Sequence, residues 1–238
     1  MNITEKDSVA EVVVQNIKTA HIFKKHGIDF CCGGGISVEK ACKKNNVDFD
    51  LLKRELETID IELDEEFNFD SMNLSVLIDH IVSVHHIYVE ENIPLLQEYA
   101  DKVARVHGHH YKEVVEIKIL FDAVAKELAG HLKKEEIILF PFIKRMVLAK
   151  EQGAKVLAPH FGTINNPIKM MESEHETAGD IFKVIEKLTA NYTPPEGACN
   201  TFKALYSKLQ EFEQDLHQHI HLENNILFPK AIELEKEV

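Results

Sequence analysis

One segment of this sequence occurs twice, and it constrains the fold more than any other feature. Residues 131–141 read HLKKEEIILFP and residues 219–229 read HIHLENNILFP. Each copy places a histidine four residues before a glutamate, a spacing that puts both side chains on one helix face, one turn apart. A single pair of this kind is common on helix surfaces. Two copies that share ILFP predict two helices that carry metal-binding side chains.

A single histidine precedes each copy at nearly the same distance. His86 lies 45 residues before His131, and His175 lies 44 residues before His219. Each half of the region is therefore predicted to be a helix with one histidine followed by a helix with a His-xxx-Glu pair. Two such hairpins, related by a pseudo-two-fold axis, would bring six side chains together in an antiparallel four-helix bundle.

The spacing of apolar residues predicts four long helices after about residue 72. Their expected ranges are roughly 72–100, 108–149, 164–190 and 198–235. Pro141 and Pro229 fall late in two of these helices and are expected to kink or close them. In the first helix the apolar face is centred nearer His85 than His86, so helical phase alone slightly favours His85.

The residues before the bundle are predicted to form a small helical unit over 1–60, followed by an acidic linker over 61–71 and the larger domain over 72–238. Helix caps are expected at Ser8, at Ser37 and at Asp48 or Asp50. A unit of this size buries little core by itself, so we expect it to pack on another surface.

Two adjacent cysteines give the second chemical signal, within residues 29–35, which read DFCCGGG. Cys31 and Cys32 lie in a tight turn, and the next helix N-terminus is expected to favour their thiolate forms. They are candidates for redox chemistry, transient metal binding or contact with a metal cluster of another protein. A turn in which the cysteines only pack is the alternative.

The bulk composition narrows the range of partners. A net charge of −13 argues against nucleic acid and anionic membranes as main partners. We find neither a secretory signal nor an apolar run of 18 residues. Four cysteines without a disulfide framework are typical of a reducing cytoplasm.

The candidate ligands are four imidazoles and two carboxylates: His86, His131, Glu135, His175, His219 and Glu223. Nitrogen and oxygen donors without thiolate suit iron or manganese better than structural zinc. If both carboxylates bridge, each of two ions receives four protein bonds, and an oxo or hydroxo bridge makes five. One position on each ion then stays open for O2, NO, peroxide or water.

Several other polar residues allow two interpretations. His80 and His85 either orient ligands or only pack, and Glu127 and Glu174 either line a route to the site or lie on a solvated face. The remaining histidines, which include His217 and His221, are expected at the surface or in loops.

At these motifs the chain resembles the repair of iron centres family, the di-iron ScdA/YtfE-type proteins. The matching stretches are Ile78-Asp79-His80, residues 171–176 (MESEHE), residues 193–196 (TPPE), residues 222–229 (LENNILFP) and the DFCCGG turn. The resemblance implies a hemerythrin-like bundle with a small N-terminal ScdA-type domain. It also implies two non-haem iron ions on the six candidate ligands, with His86 chosen over His85 and with Glu135 and Glu223 bridging.

The function implied by this resemblance is the repair of iron–sulfur clusters damaged by nitrosative and oxidative stress, with iron donated to the damaged proteins. Cys31 and Cys32 would help delivery or docking. Two alternatives remain open, namely an enzyme that reduces NO at the di-iron centre and a hemerythrin-like sensor or carrier of O2 or NO. A homodimer is a further expectation.

Overall fold

The N-terminal residues form four short helices in the computed structural model, which describes residues 3–59 and 69–238. These are α1 (Val9–Gln15), α2 (Ala20–Lys25), α3 (Val38–Asn45) and α4 (Phe49–Glu57), with a 3-10 turn at Ile17–Thr19. As predicted, Ser8, Ser37 and Asp48 cap α1, α3 and α4. Residues 61–68 of the expected linker lie outside the described residues.

Four long helices follow, and we number them as bundle helices in chain order. The first comprises α5 (Leu74–His80), a π turn (Ile81–His86) and α6 (Ile87–His107), and the second comprises α7 (Glu113–Lys134), a π turn (Glu135–Leu139) and α8 (Phe140–Gln152). The third is the single helix α9 (Asn165–Leu188). The fourth comprises α10 (Asn200–Leu222), a π turn (Glu223–Leu227) and α11 (Phe228–Glu235). Short connections join consecutive helices, so neighbours run antiparallel. The all-α bundle expected from the sequence is confirmed.

Three of the four bundle helices widen into a π turn, which the sequence analysis did not predict. A π turn places an extra residue in one turn of an α-helix and often marks a functional site. Pro141 and Pro229 each occupy the second residue of the helix that follows such a turn. Of the two expected effects, closure of the helices is wrong, because α8 continues to Gln152 and α11 to Glu235, and a kink stays a prediction. A proline is tolerated in the first turn of a helix.

Two apolar clusters form the core, one towards each end of the bundle. The first cluster joins Phe23 and Leu52 of the N-terminal unit to Phe182 and Phe212 of the bundle. The small unit therefore packs on the bundle, as its size required. The second cluster surrounds Phe142 at the other end. Along each bundle helix, the predicted ligands lie near the place where residues of the first cluster give way to those of the second.

The N-terminal unit is also attached through charge. Lys24 of α2 pairs with Glu213 of α10 at 2.5 Å, and the Glu213 side chain is only 2% exposed. Asp29 lies 3.4 Å from Lys183 of α9. None of the helices in the described residues is long and apolar enough to cross a membrane.

Candidate metal centre

All six predicted ligands meet in the middle of the bundle, where each has 1% of its surface or less exposed to solvent. The first and third bundle helices supply one histidine each, and the second and fourth supply one His-xxx-Glu pair each. The members are His86, His131, Glu135, His175, His219 and Glu223. The structure thus brings together the set that the sequence singled out.

The six side chains divide into two overlapping sets of possible metal ligands. One set is His86, Glu135, His219 and Glu223; the other is His131, Glu135, His175 and Glu223. Within each set the ligand atoms lie within 4.8 Å of one another. Both carboxylates are shared, and each set takes one histidine from each half of the bundle. This arrangement follows the pseudo-two-fold symmetry of the repeat.

The ring nitrogens that face inward are the Nε2 atoms. His219 Nε2 lies 3.1 Å from Glu223 Oε1, and His131 Nε2 lies 3.3 Å from Glu135 Oε2. These distances show that each His-xxx-Glu pair closes across one helical turn. Between the halves, His131 Nε2 and His175 Nε2 are 2.9 Å apart. Nitrogen and oxygen donors thus converge on a small buried volume.

Three of the four imidazoles are fixed from behind through Nδ1. His86 bonds Glu136 at 2.7 Å, His131 bonds Glu174 at 2.8 Å, and His175 bonds Asn224 at 2.8 Å. Such partners fix ring orientation and tautomer in metal sites. Of the two glutamates with open interpretations, Glu174 contacts the centre through His131, whereas Glu127 is exposed.

The electrostatics are those of a cluster that carries protons in its metal-free form. Burial and the charge of Glu223 raise the pKa of Glu135. Burial opposes ionisation of Glu223 too, but His219 and hydrogen bonds from His175 and other imidazoles outweigh it and lower its pKa well below the usual range. Burial disfavours a charged His131, yet Glu135 and its neighbours raise the pKa of His131 to about 9. Burial lowers the pKa of His219 to about 3.

The unsatisfied atoms of the cluster indicate what it is built to hold. Neither carboxylate oxygen of Glu135 accepts a hydrogen bond from any described residue, and the same is true of His86 Nε2. Buried polar atoms are rarely left without partners unless they serve a ligand. A buried cage of imidazole and carboxylate, free of thiolate, fits a metal ion.

The ambiguity between His85 and His86 has a structural explanation. Both side chains are buried, and both lie in the π turn Ile81–His86. The extra residue of this turn breaks the period of 3.6 residues on which the phase argument depended. His86 Nε2 faces the cluster, 3.5 Å from Glu135 Oε2, whereas His85 lies behind His219.

The turn that carries the two cysteines is organised by one carboxylate. Asp29 Oδ1 accepts the backbone N–H groups of Cys31, Cys32 and Gly33, each at 3.1 Å, and lies 3.3 Å from Cys31 Sγ. The two sulfur atoms are 4.0 Å apart, and both cysteines are free.

The expected thiolate at this turn is not supported for Cys31. The helix α3 begins only at Val38, while the carboxylate of Asp29 lies beside the sulfur. The hydrogen bond with Cys32, burial and the charge of Asp29 raise the pKa of the Cys31 thiol well above its usual range. Cys31 therefore holds its proton, and Cys32 is the more exposed of the two.

The cysteine turn is attached to the metal centre through one π turn. Asn225 Nδ2 donates to the carbonyl oxygens of Phe30 and Cys31, both at 3.3 Å. Asn225 lies two residues after Glu223, and the residue between them, Asn224, bonds His175. Of three consecutive side chains, Glu223 therefore belongs to the cluster, Asn224 contacts a histidine of the cluster, and Asn225 contacts the cysteine turn.

Two histidines that the sequence analysis assigned to the surface contact this turn instead. His221 is fully buried, and His217 is largely covered. Their rings pack against Phe30 at centroid distances of 5.9 and 6.0 Å. The assignment failed because the N-terminal unit covers this face of the fourth bundle helix.

Sequence reasoning also missed Glu136, Asn224, Asn225 and Asp29, all of which bond to residues that it had singled out. The position of Glu136 and Asn224, each directly after a repeat glutamate, was the available signal. Asn225 contacts His221 one turn earlier at 2.9 Å, but its partners in the cysteine turn lie about 195 residues away in the chain, and no local pattern indicates them.

Fold and cluster together define the class of hemerythrin-like metal-binding bundles. The family model described as the hemerythrin HHE cation binding domain matches residues 77–231. A second model, described as a domain of unknown function (DUF542), matches residues 5–60.

Relatives match almost the whole chain. Proteins named iron–sulfur cluster repair protein YtfE from Yersinia pseudotuberculosis and from Yersinia pestis are both 38% identical to it over 225 residues. The alignment covers 94% of this chain and 96% of each relative. The chain therefore belongs to the family of the YtfE iron–sulfur cluster repair proteins, which confirms the resemblance found in its motifs.

Proposed function

We propose that the buried cluster holds two iron ions in a non-haem di-iron centre. His86 and His219 would bind one ion, and His131 and His175 the other. Glu135 and Glu223 belong to both sets, which supports a bridging role for each carboxylate. An oxo or hydroxo bridge is a further part of this proposal. Such a centre supplies redox chemistry and exchangeable iron when it is bound, and the surrounding side chains fix the rings and exclude water.

We further propose that the chain repairs iron–sulfur clusters damaged by nitrosative and oxidative stress, and that it does so by donating iron. The relatives' names support the repair role. The observation that carries the delivery step is the π turn Glu223–Leu227, because it contacts both the cluster and the cysteine turn. The partners of this reaction are proteins with damaged clusters.

Cys31 and Cys32 are proposed to act in iron delivery or in redox chemistry. Cys31 is buried and holds its proton beside Asp29, so a role as metal ligand requires that this proton is lost. Cys32 is the more accessible sulfur and is the candidate for the first contact with a client protein.

The test is transfer of labelled iron. Protein loaded with 57Fe is mixed with an enzyme whose iron–sulfur cluster has been damaged, and label transfer and reactivation are followed. We expect both with the natural chain. The double variant Cys31→Ser, Cys32→Ser should keep its iron but transfer it at least several-fold more slowly.

The matched control is Cys199→Ser, since Cys199 is an exposed cysteine outside the turn. Absence of both label transfer and reactivation with the natural chain would refute iron donation. Equal transfer by the double variant would refute the cysteine role alone.

Reduction of NO is a second candidate, favoured by the shared carboxylates, which place two metal positions side by side. Formation of N2O from NO by the reduced protein under anaerobic conditions would support it. Reversible binding of O2 or NO without N2O or repair would instead support a sensor.

Further proposals concern the domains, the cellular setting and the partners of the chain. The domains are 1–60 and 72–238, with a linker over 61–71, and the setting is the reducing cytoplasm, in keeping with four free cysteines. Neither nucleic acid nor membranes are expected as partners of a chain with net charge −13. A homodimer also remains a prediction.

A further inference from the structure

The pseudo-two-fold symmetry of the centre extends to the groups behind the histidines. Glu136 and Asn224, which follow the two repeat glutamates, bond Nδ1 of His86 and His175 respectively. Each half thus uses the same position to fix the histidine of its own first helix.

The same symmetry relates the groups that fix the other two histidines. Glu174, directly before His175, bonds His131 Nδ1 across the halves. The residue at the equivalent position, directly before His86, is His85. The symmetry therefore predicts that His85 stands behind His219.

The structure places His85 there. The His85 and His219 rings are parallel to within 5°, with centroids 5.6 Å apart. Within the described part of the chain, His219 Nδ1 and His85 Nε2 are both buried and lack a hydrogen-bond partner. Each of the two stacked rings therefore has one buried nitrogen without a hydrogen-bond partner among the described residues.

Asp215 determines which nitrogen of His85 can accept a hydrogen bond. His85 Nδ1 lies 2.8 Å from Asp215 Oδ1, and because a carboxylate only accepts, Nδ1 carries the proton. In the neutral ring Nε2 then holds the lone pair. His219 has the opposite need once a metal ion occupies Nε2, the nitrogen that faces Glu223 Oε1 at 3.1 Å, because its proton then lies on Nδ1.

We propose that His85, oriented by Asp215, accepts a hydrogen bond from His219 Nδ1 through a bridging water and is the positioning residue for the metal ion on His86 and His219. This inference rests on the proposed di-iron centre and deepens it. Each ion then has one histidine backed by a glutamate and one backed by another kind of side chain. Glu136 and His85 serve one ion, and Glu174 and Asn224 serve the other.

The assignment predicts a loss confined to one ion. Changes to groups that orient metal-bound histidines typically cost about 10- to 100-fold in metal affinity. His85→Phe keeps an aromatic ring but removes the acceptor, so it should weaken one of two ions by this factor. Glu174→Leu should weaken the other. His85→Gln, which retains an acceptor, should restore most of the affinity.

The experiment uses the full chain loaded with 57Fe, with iron content followed during titration with a chelator and with Mössbauer spectra recorded at each stage. We expect the natural chain to hold two ions and His85→Phe to lose one early, with one component of the spectrum changed. Asp215→Leu should resemble His85→Phe. Glu211→Gln, an exposed change one turn away on the same helix, should behave as the natural chain.

Two results would overturn the assignment while leaving the di-iron centre intact. The first is that His85→Phe retains both ions as the natural chain does. The second is that His85→Phe and His85→Gln lose both ions to the same extent. Circular dichroism of the metal-free variants checks that each is folded. Fewer than two ions in the natural chain would refute the di-iron centre itself, and the assignment with it.

Discussion

The ion pair between Lys24 and Glu213 allows a prediction whose size follows from the structure. Lys24→Met keeps the length of the side chain but removes the partner of a carboxylate that is 2% exposed. Burial already raises the pKa of Glu213, and Lys24 opposes that rise. Without Lys24, Glu213 must remain charged in an apolar interface or take up a proton.

Protonation of Glu213 limits the loss of stability that Lys24→Met can cause. At pH 7, protonating a carboxyl group whose ordinary pKa is 4.5 costs about 3 kcal/mol. We therefore expect Lys24→Met to lower the free energy of unfolding by about 2 to 3 kcal/mol at pH 7. At pH 5 the same limit falls to about 0.7 kcal/mol, so most of the loss should disappear.

Urea unfolding at both pH values measures the effect, and the neighbouring Lys25→Met is the matched control. Lys25 is 63% exposed and pairs with Glu55 at the surface, so its loss should cost less than about 1 kcal/mol at either pH. Equal destabilisation by the two variants would refute the reasoning. So would a loss in Lys24→Met that is as large at pH 5 as at pH 7.

Three further predictions concern the centre and the cysteine turn. Metal binding at pH 7 should release protons, because His131 has a pKa of about 9 and must become neutral to bind. Calorimetry in two buffers of different ionisation enthalpy would detect the released protons. The affinity for the metal should rise with pH up to about pH 9. The metal-free protein should lose stability below pH 6.5, because burial lowers the pKa of His221 to about 4; at pH 5 this residue alone accounts for about 2 kcal/mol, and His221→Phe should reduce the difference between urea unfolding at pH 7 and pH 5. Asn225→Leu leaves the carbonyl oxygens of Phe30 and Cys31 without their donor, so we expect a loss of about 1 to 3 kcal/mol and several-fold faster alkylation of the cysteines; an unchanged alkylation rate would contradict this.

Local sequence patterns predicted the helices and the set of residues in the centre well. Matched spacings placed the six side chains on four helices, and short-range caps such as Ser8 depend only on neighbouring residues. These features can be predicted because apolar periodicity and helix capping depend on residues within a few helical turns of one another.

The failures have one physical source, which is that long-range packing alters what local periodicity implies. The π turns shift helical phase, so the preference for His85 was misleading. His221 is polar and lies off the apolar stripe of its helix, yet a distant segment covers it. The proton on Cys31 follows from Asp29 and burial rather than from the helix that comes next.

A centre built around a near two-fold axis has two equivalent sides, and the N-terminal unit makes them different because it covers only one of them. After Glu223, the fourth bundle helix presents Asn225 to the cysteine turn. At the equivalent place after Glu135, the second presents Ile137, which is 71% exposed and open to solvent. The two halves of a duplicated scaffold thus have the same interior and different exteriors. The symmetric pair of metal positions is therefore connected to the N-terminal unit on one side only, the side where the sulfur atoms lie.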